Sequence, residues 1–287
     1  MKDSITKDDL YALILMLKAG HDGAIVVLES ENDCRGLDSF IDSTNCQTIP
    51  GHGKENVVGV ATLVSANGLQ HVLCIADRDF DHLRDNLKLI AGLVYTDEYD
   101  LDATFFFVPG VPERVAGQVV TNYATLLATI QACSCASVRE LCIGQAATIG
   151  AVRLASIEDD LELRLEGFPQ SLAYGDSGGA PNYRAVIELA LQRSKPDAGN
   201  GLDADAIEAL ARKHAARTSK EERCCGHDLA GGLVAAVDAS GKVNGGWGRK
   251  QIESMVRAAV SFDAFKGTDL YRRVANWASA EGCIVWA

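Results

Sequence analysis

The chain has 287 residues, of which 47% are hydrophobic and 23% charged. These proportions exclude collagen-like, disordered and disulfide-scaffold classes, and the length suits one large domain or a domain with an appendage. The formal net charge of -12 hides an asymmetry, because residues 1–210 carry -16 and residues 211–287 carry +4; the pattern is an acidic body with a basic final segment. No run approaches the roughly 20 apolar residues of a membrane span. Met1-Lys2-Asp3-Ser4-Ile5 lacks the apolar core of a signal peptide, so a cytoplasmic chain with no membrane partner is expected. The nine cysteines are odd in number and irregularly spaced, and they read as reduced, buried thiols. Cys133-x-Cys135 and Cys224-Cys225-x-His227 lack the second-pair spacing of a structural zinc site.

In chain order, residues 6–20 predict an amphipathic helix with Leu10, Leu13, Ile14 and Leu17 at helical spacing. Residues 24–28 form a continuous apolar run of the kind found in buried parallel strands. There follow a helix over 33–42, an extended piece over 47–50, a Gly51-His52-Gly53 turn, a helix over 54–65, a strand over 71–76 and a shorter strand over 93–95. This alternation with short connections predicts a parallel sheet in the first hundred residues. Past Pro112 the pattern predicts helices over 113–132 and 137–157, then a half-exposed strand over 161–168. Loops rich in Gly, Pro, Ser and Asp follow at 167–182 and 194–204, and the remainder reads as helix broken around 245–248. The expected architecture is α/β: a parallel sheet flanked by helices over residues 1–110, then a mainly helical region over 111–287 with a basic C-terminal segment.

Two motifs fail on their context. Gly175-Asp176-Ser177-Gly178-Gly179 spells the nucleophile signature of trypsin-like proteases, but the chain lacks a matching upstream histidine and an all-β pattern. Gly53-Lys54 and Gly241-Lys242 lack the remaining residues of a phosphate-binding P-loop, so any ATPase activity is expected from another chain.

The informative residues sit at strand ends. Glu29 directly follows the run over 24–28, and Asp77-Arg78-Asp79-Phe80-Asp81 directly follows the run over 71–76. Ligand sites form at the carboxyl ends of parallel strands, so neighbouring strands bring Glu29, Asp77 and Asp79 together. Such carboxylates repel one another unless a hard divalent cation, Mg²⁺ above all, neutralises them. The acidic run Thr96-Asp97-Glu98-Tyr99-Asp100-Leu101-Asp102 follows the next strand and is a candidate source of a second metal site.

These residues resemble the Toprim domain, whose signature is a strand followed by Glu and a second strand followed by Asp-x-Asp. The resemblance is closer to the Toprim nucleases of phage-defence loci, of overcoming-lysogenization-defect and PARIS type, encoded beside or fused to ABC-type ATPases. It covers nearly the whole chain through Glu29-Ser30-Glu31-Asn32-Asp33, Gly53-Lys54-Glu55-Asn56-Val57, Ala76-Asp77-Arg78-Asp79-Phe80-Asp81 and Thr96-Asp97-x₂-Asp100-Leu101. Later blocks are Gly226-His227-Asp228-Leu229 and Phe265-x₂-Thr268-x-Leu270-Tyr271-x₅-Trp277. The chain departs from the pattern at Ser30, where many Toprim domains have glycine, at His82, where a glycine often trails Asp-x-Asp, and at Asp102, where relatives often carry Glu.

The resemblance implies a Toprim-like fold and a metal-dependent nuclease that is the toxic effector of an abortive phage defence. It implies cleavage of tRNA, with DNA cleavage or a non-catalytic binding module as the alternatives, and restraint by a partner ABC-type ATPase. Mg²⁺ or Mn²⁺ would be held by Glu29, Asp77, Asp79, Asp81 and Asp100, with Asp33 orienting water or completing a second site. Lys54 would contact phosphate or stand as a surface cation, and His227 would bond substrate or cap a helix. Arg212, Lys213, Arg217, Arg249 and Lys250 in the basic segment are the expected substrate contacts. Leu270, Tyr271, Val274 and Trp277 recur at helical spacing, either as core or as the interface of a homodimer formed on release.

Overall fold

The computed structural model describes residues 5–173, 180–240 and 247–287. The Gly175-Asp176-Ser177-Gly178-Gly179 motif, the Gly241-Lys242 pair and Gly245-Gly246 lie outside the described residues. The chain divides into two compact units, one formed by Met1–Thr104 with Val260–Ala287 and the other by Phe105–Ala259.

The first unit opens with α1 (Lys7–Lys18), started by a reciprocal cap between Thr6 and Asp9. Then come β1 (Ala24–Leu28), α2 (Glu31–Leu37), β2 (Cys46–Pro50), α3 (Lys54–Asn67), β3 (Val72–Ala76), β4 (Leu93–Tyr95) and the first four residues of α4 (Leu101–Phe106). All four strands pair in parallel in the order β2-β1-β3-β4, with Val26 opposite both Thr48 and Leu73. The expected parallel sheet is therefore present. Every residue of the two central strands, β1 and β3, is buried, which is why they read as unbroken apolar runs instead of alternating ones. Leu10 and Ile14 of α1 and Val57, Val60 and Val64 of α3 pack against Ile25, Val27, Val72 and Cys74 of the sheet. Each such side chain contributes roughly 1.5–3 kcal/mol by leaving water.

The second unit is helical: α5 (Val111–Val119), α6 (Tyr123–Ala132), α7 (Val138–Glu158), α8 (Tyr183–Arg193), α9 (Ala204–Ala215), α10 (Gly226–Ala239) and α11 (Arg249–Ala259). α7 is buried on almost every side and packs against α8, α9 and α10. At Gly150 a Cβ atom would stand 1.8 Å from the Arg223 carbonyl oxygen, so only glycine permits that approach. The single helix expected over 113–132 is two helices, because Asn122 leaves helical geometry and its side chain caps α6. The strand expected over 161–168 does not form. Asp160 and Glu162 adopt positive φ, and the Leu161 and Leu163 N–H groups turn to Ser156 instead of to a neighbouring strand. The apolar residues of this segment, Leu161, Leu165 and Phe168, join the core formed with α7, α8 and α9.

The last residues correct the expected division at 110, because Val260–Ala287 belongs to the sheet unit and not to the helical one. It carries α12 (Phe262–Phe265) and α13 (Asp269–Glu281). An antiparallel bridge joins Trp286 to Ile41. Phe265 stacks on Phe40 at 4.6 Å, and Trp286 stacks on Tyr271 at 5.5 Å. Of the stripe weighed above as core or dimer interface, Leu270 and Val274 are fully buried within this unit, while Tyr271 and Trp277 are half-buried. Among the described residues, no helix is long and apolar enough to cross a membrane.

Candidate metal centre

β1 and β3 are adjacent and parallel, so their carboxyl ends emerge together, where α/β folds gather ligands. Glu29 is the first residue past β1 and Asp77 the first past β3. The Asp77 backbone N–H donates to Glu29 Oε1 at 2.8 Å, and Asp77 Oδ1 accepts the Leu101 backbone N–H at 3.3 Å. Asp33 lies in the first turn of α2. Its N–H donates to Ser30 Oγ, while the Ser30 hydroxyl donates to Asp33 Oδ2 at 2.7 Å. The departure at Ser30 thus has a use that glycine could not serve, as the side-chain cap of α2. Asp100 accepts the Ala103 N–H at 2.6 Å.

The loop after β3 is held from several sides. Asp79 has φ 47, a left-handed conformation that Asp tolerates better than most residues, and its N–H donates to the Tyr99 carbonyl at 2.7 Å. Phe80 is buried edge-on against Tyr99 at 4.9 Å. Thr96, buried just past β4, accepts the Arg78 N–H at 2.9 Å and donates to the Glu98 carbonyl at 2.8 Å. Arg78 and Glu98 form an ion pair at 3.5 Å. Thr96 and Arg78 escaped sequence reasoning; a polar residue after a strand is too common to stand out.

The carboxylates act strongly on one another. Burial, more than any other cause, pushes the Glu29 carboxyl up to about 7. Asp79 and Asp33 push the same way, while the Asp77 N–H and Lys54 oppose them. The Asp77 carboxyl is held well above the usual carboxylate range by burial and then by Asp100, Glu29, Asp33 and Asp79. Lys54 is the first residue of α3, and its Nζ lies 2.7 Å from Asp79 Oδ2 and 2.6 Å from Asp81 Oδ2. The structure therefore groups Glu29, Asp33, Asp77, Asp79 and Asp100, and Asp81 joins them through Lys54. Lys54 itself, expected as a phosphate contact or a surface cation, is engaged by two carboxylates.

An all-oxygen donor set of this charge suits Mg²⁺ or Mn²⁺, and burial together with mutual repulsion disfavours the ionised forms of Glu29 and Asp77 unless a cation is bound. The residues fit such an ion. Among the described residues, no three of these carboxylates bring oxygens within 4.8 Å of one another, so closure on a cation needs side-chain rotation. Residues of the acidic run after β4 have different partners. Asp97 pairs with Arg273 and Glu98 with Arg78, and Asp100 acts on Asp77.

The expected substrate contacts lie in the second unit and the acidic group in the first. Arg212 and Lys213 occupy the last turn of α9, with Arg217 just beyond it, and Arg249 and Lys250 open α11. Arg212 pairs with Glu208 at 2.7 Å and lies over the Tyr183 ring at 4.8 Å; Arg249 pairs with Glu253 at 3.3 Å. Lys213, Arg217 and Lys250 are exposed. α9 packs on α7 and α11 on α10, so the two basic groups ride on separate helices. The His227 Nδ1 is 2.7 Å from Glu253 Oε1. The helix cap considered for it falls to Cys225. Asp228 turns inward to Arg153 at 2.6 Å and to the Gln170 amide at 3.1 Å. All nine cysteines are free, and Cys224 and Cys225 are buried.

Compared with known proteins, the sequence matches no family model and no curated protein.

Proposed function

We propose that this chain is a Toprim-like nuclease that uses Mg²⁺ or Mn²⁺ to hydrolyse phosphodiester bonds. The observation that supports it most is the hydrogen bond from Asp77 to Glu29 at the carboxyl ends of adjacent parallel strands, within the field of Asp33, Asp79 and Asp100. A bound divalent cation polarises a phosphate oxygen and supplies a nucleophilic water near neutral pH. Glu29 and Asp77 would hold the cation and Asp33 and Asp100 would orient water, while Lys54 keeps Asp79 and Asp81 in position. Thr96 and Arg78 fix the loop that carries Asp77 and Asp79.

The substrate class is tRNA, gripped at its phosphates by Arg212, Lys213, Arg217, Arg249 and Lys250, with His227 as a further substrate contact. A nuclease that attacks host tRNA has to be restrained, and the P-loop residues needed for nucleotide-driven control are lacking in this sequence. The resemblance to Toprim effectors of phage-defence loci points to a cytoplasmic toxin held by an ABC-type ATPase encoded nearby and released on phage infection, after which two copies pair.

The test uses labelled total tRNA and supercoiled plasmid with wild type, Glu29→Gln and Asp77→Asn, in Mg²⁺, Mn²⁺ or EDTA. Cation-dependent tRNA cleavage that both variants lose supports the proposal. Plasmid cleavage alone moves the substrate to DNA, and retained cleavage in both variants overturns the site. Co-expression with the neighbouring ATPase followed by size-exclusion chromatography tests restraint; separate elution with unaltered toxicity rules it out.

A further inference from the structure

The geometry points to Lys54 as a built-in second cation: its ammonium group holds Asp79 and Asp81, so the acidic cluster takes one divalent ion, at Glu29 and Asp77, and not two. This rests on the reading of the cluster as a cation site. Both contacts of the Lys54 Nζ, at 2.7 and 2.6 Å, have the length of charge-assisted hydrogen bonds. The Tyr95 ring lies 5.9 Å from the same Nζ, within the range of a cation–π contact.

The backbone places the ammonium there. Lys54 follows Gly53, whose φ of 113 is outside the reach of ordinary side-chain-bearing residues. The Gly53 N–H donates to the Glu29 carbonyl at 2.9 Å, so the turn that presents Lys54 is anchored on the residue that heads the acidic cluster. Asp79 is fixed by its bond to Tyr99, and Asp81 opens the short turn Asp81–Leu83.

The cluster is thereby split. Asp79 and Asp81 are compensated by a cation attached to the chain, whereas neither Glu29 nor Asp77 forms an ion pair among the described residues. A tethered ammonium acts at high effective concentration, and a second divalent ion would have to displace it from two charged contacts. A two-ion site, with ions roughly 3.5–4 Å apart, draws on more carboxylate oxygens than a single ion does, and Lys54 already engages those of Asp79 and Asp81.

Counting bound Mn²⁺ by the electron paramagnetic resonance signal of the free ion, on the full chain, tests this. Wild type is expected to bind one Mn²⁺ per chain, Lys54→Arg one, and Lys54→Met two, with circular dichroism confirming that the variants fold. A wild-type count of two, or a count of one for folded Lys54→Met, overturns the proposal. Should Lys54→Met fail to fold, Lys54→Gln takes its place, with two Mn²⁺ expected and a count of one overturning the proposal. A wild-type count of zero overturns the cation reading itself, and this inference with it.

Discussion

The backbone N–H of Asp77 donates to the Glu29 carboxylate across 2.8 Å, tying together the ends of the two central strands. Glu29 therefore has two duties, as a charge in the cluster and as the acceptor for a partly buried N–H. Substitutions separate them. Glu29→Gln keeps an acceptor and removes repulsion, so its melting temperature in EDTA is expected to equal or exceed that of wild type. Glu29→Ala strands the Asp77 N–H and is expected to lose about 1–3 kcal/mol. Both are expected to lose cleavage by more than the ~100-fold that outer-shell metal partners typically command. Equal stability of the Gln and Ala variants would remove the structural duty.

The folded chain holds the Glu29 proton up to about pH 7, against an ordinary value of 4.5. Between those values the folded state binds a proton that the unfolded state has lost, so stability falls as pH rises through this window. The contribution is full below about 4.5 and gone above about 7. Asp77 shifts in the same direction. At about 1.4 kcal/mol per pKa unit, Glu29 alone accounts for a change on the order of 3 kcal/mol. In EDTA, wild type is expected to melt lower at pH 8 than at pH 5.5, and Glu29→Gln to show a flatter profile. Mg²⁺ is expected to stabilise wild type more at pH 8, where it meets ionised carboxylates. Parallel profiles for the two proteins in EDTA would refute the assignment.

The sheet was legible because β1 and β3 are buried on both faces and carry no alternation to misread, and because Glu29 and Asp77 sit directly at their ends. Chemistry at the end of a strand inherits the strand's own clarity. Errors arose where periodicity had no partner to act on. Residues 161–168 alternate like a strand but pair with no strand among the described residues, and the backbone of Asp160 and Glu162 turns instead. The affiliation of Val260–Ala287 depends on Phe265 and Trp286 meeting Phe40 and Ile41, a contact between distant parts of the chain that no local pattern announces. The same holds for Lys54, whose engagement with Asp79 and Asp81 joins the start of α3 to the segment after β3.

Within the helical unit, Asp228 is almost fully buried and joins Arg153 and Gln170. Breaking a buried pair by removing one partner typically loses about 3–5 kcal/mol, and Asp228→Ala is expected in that range by urea denaturation. The Arg35–Glu31 pair, with side chains 70% and 67% exposed, is the contrast. Glu31→Ala is expected to change stability by less than about 0.5 kcal/mol. A small effect at Asp228 would show that this network does not hold α7 and α10 together.

Nucleic-acid binding should separate the basic residues by their existing partners. Lys213, Arg217 and Lys250 are exposed, whereas Arg212 and Arg249 are already paired with Glu208 and Glu253. A cation that neutralises a phosphate releases counterions, and its loss lowers the salt dependence of binding by about one unit of slope per contact. In the Asp77→Asn background, so that substrate is not consumed, Lys213→Glu, Arg217→Glu and Lys250→Glu are expected to weaken tRNA binding across sequences and flatten that slope. Arg212→Ala is expected to change it less, since Glu208 already offsets its charge. The readout is fluorescence anisotropy with labelled tRNA from 50 to 300 mM KCl, and a triple charge reversal with an unchanged slope would move the substrate interface away from these helices.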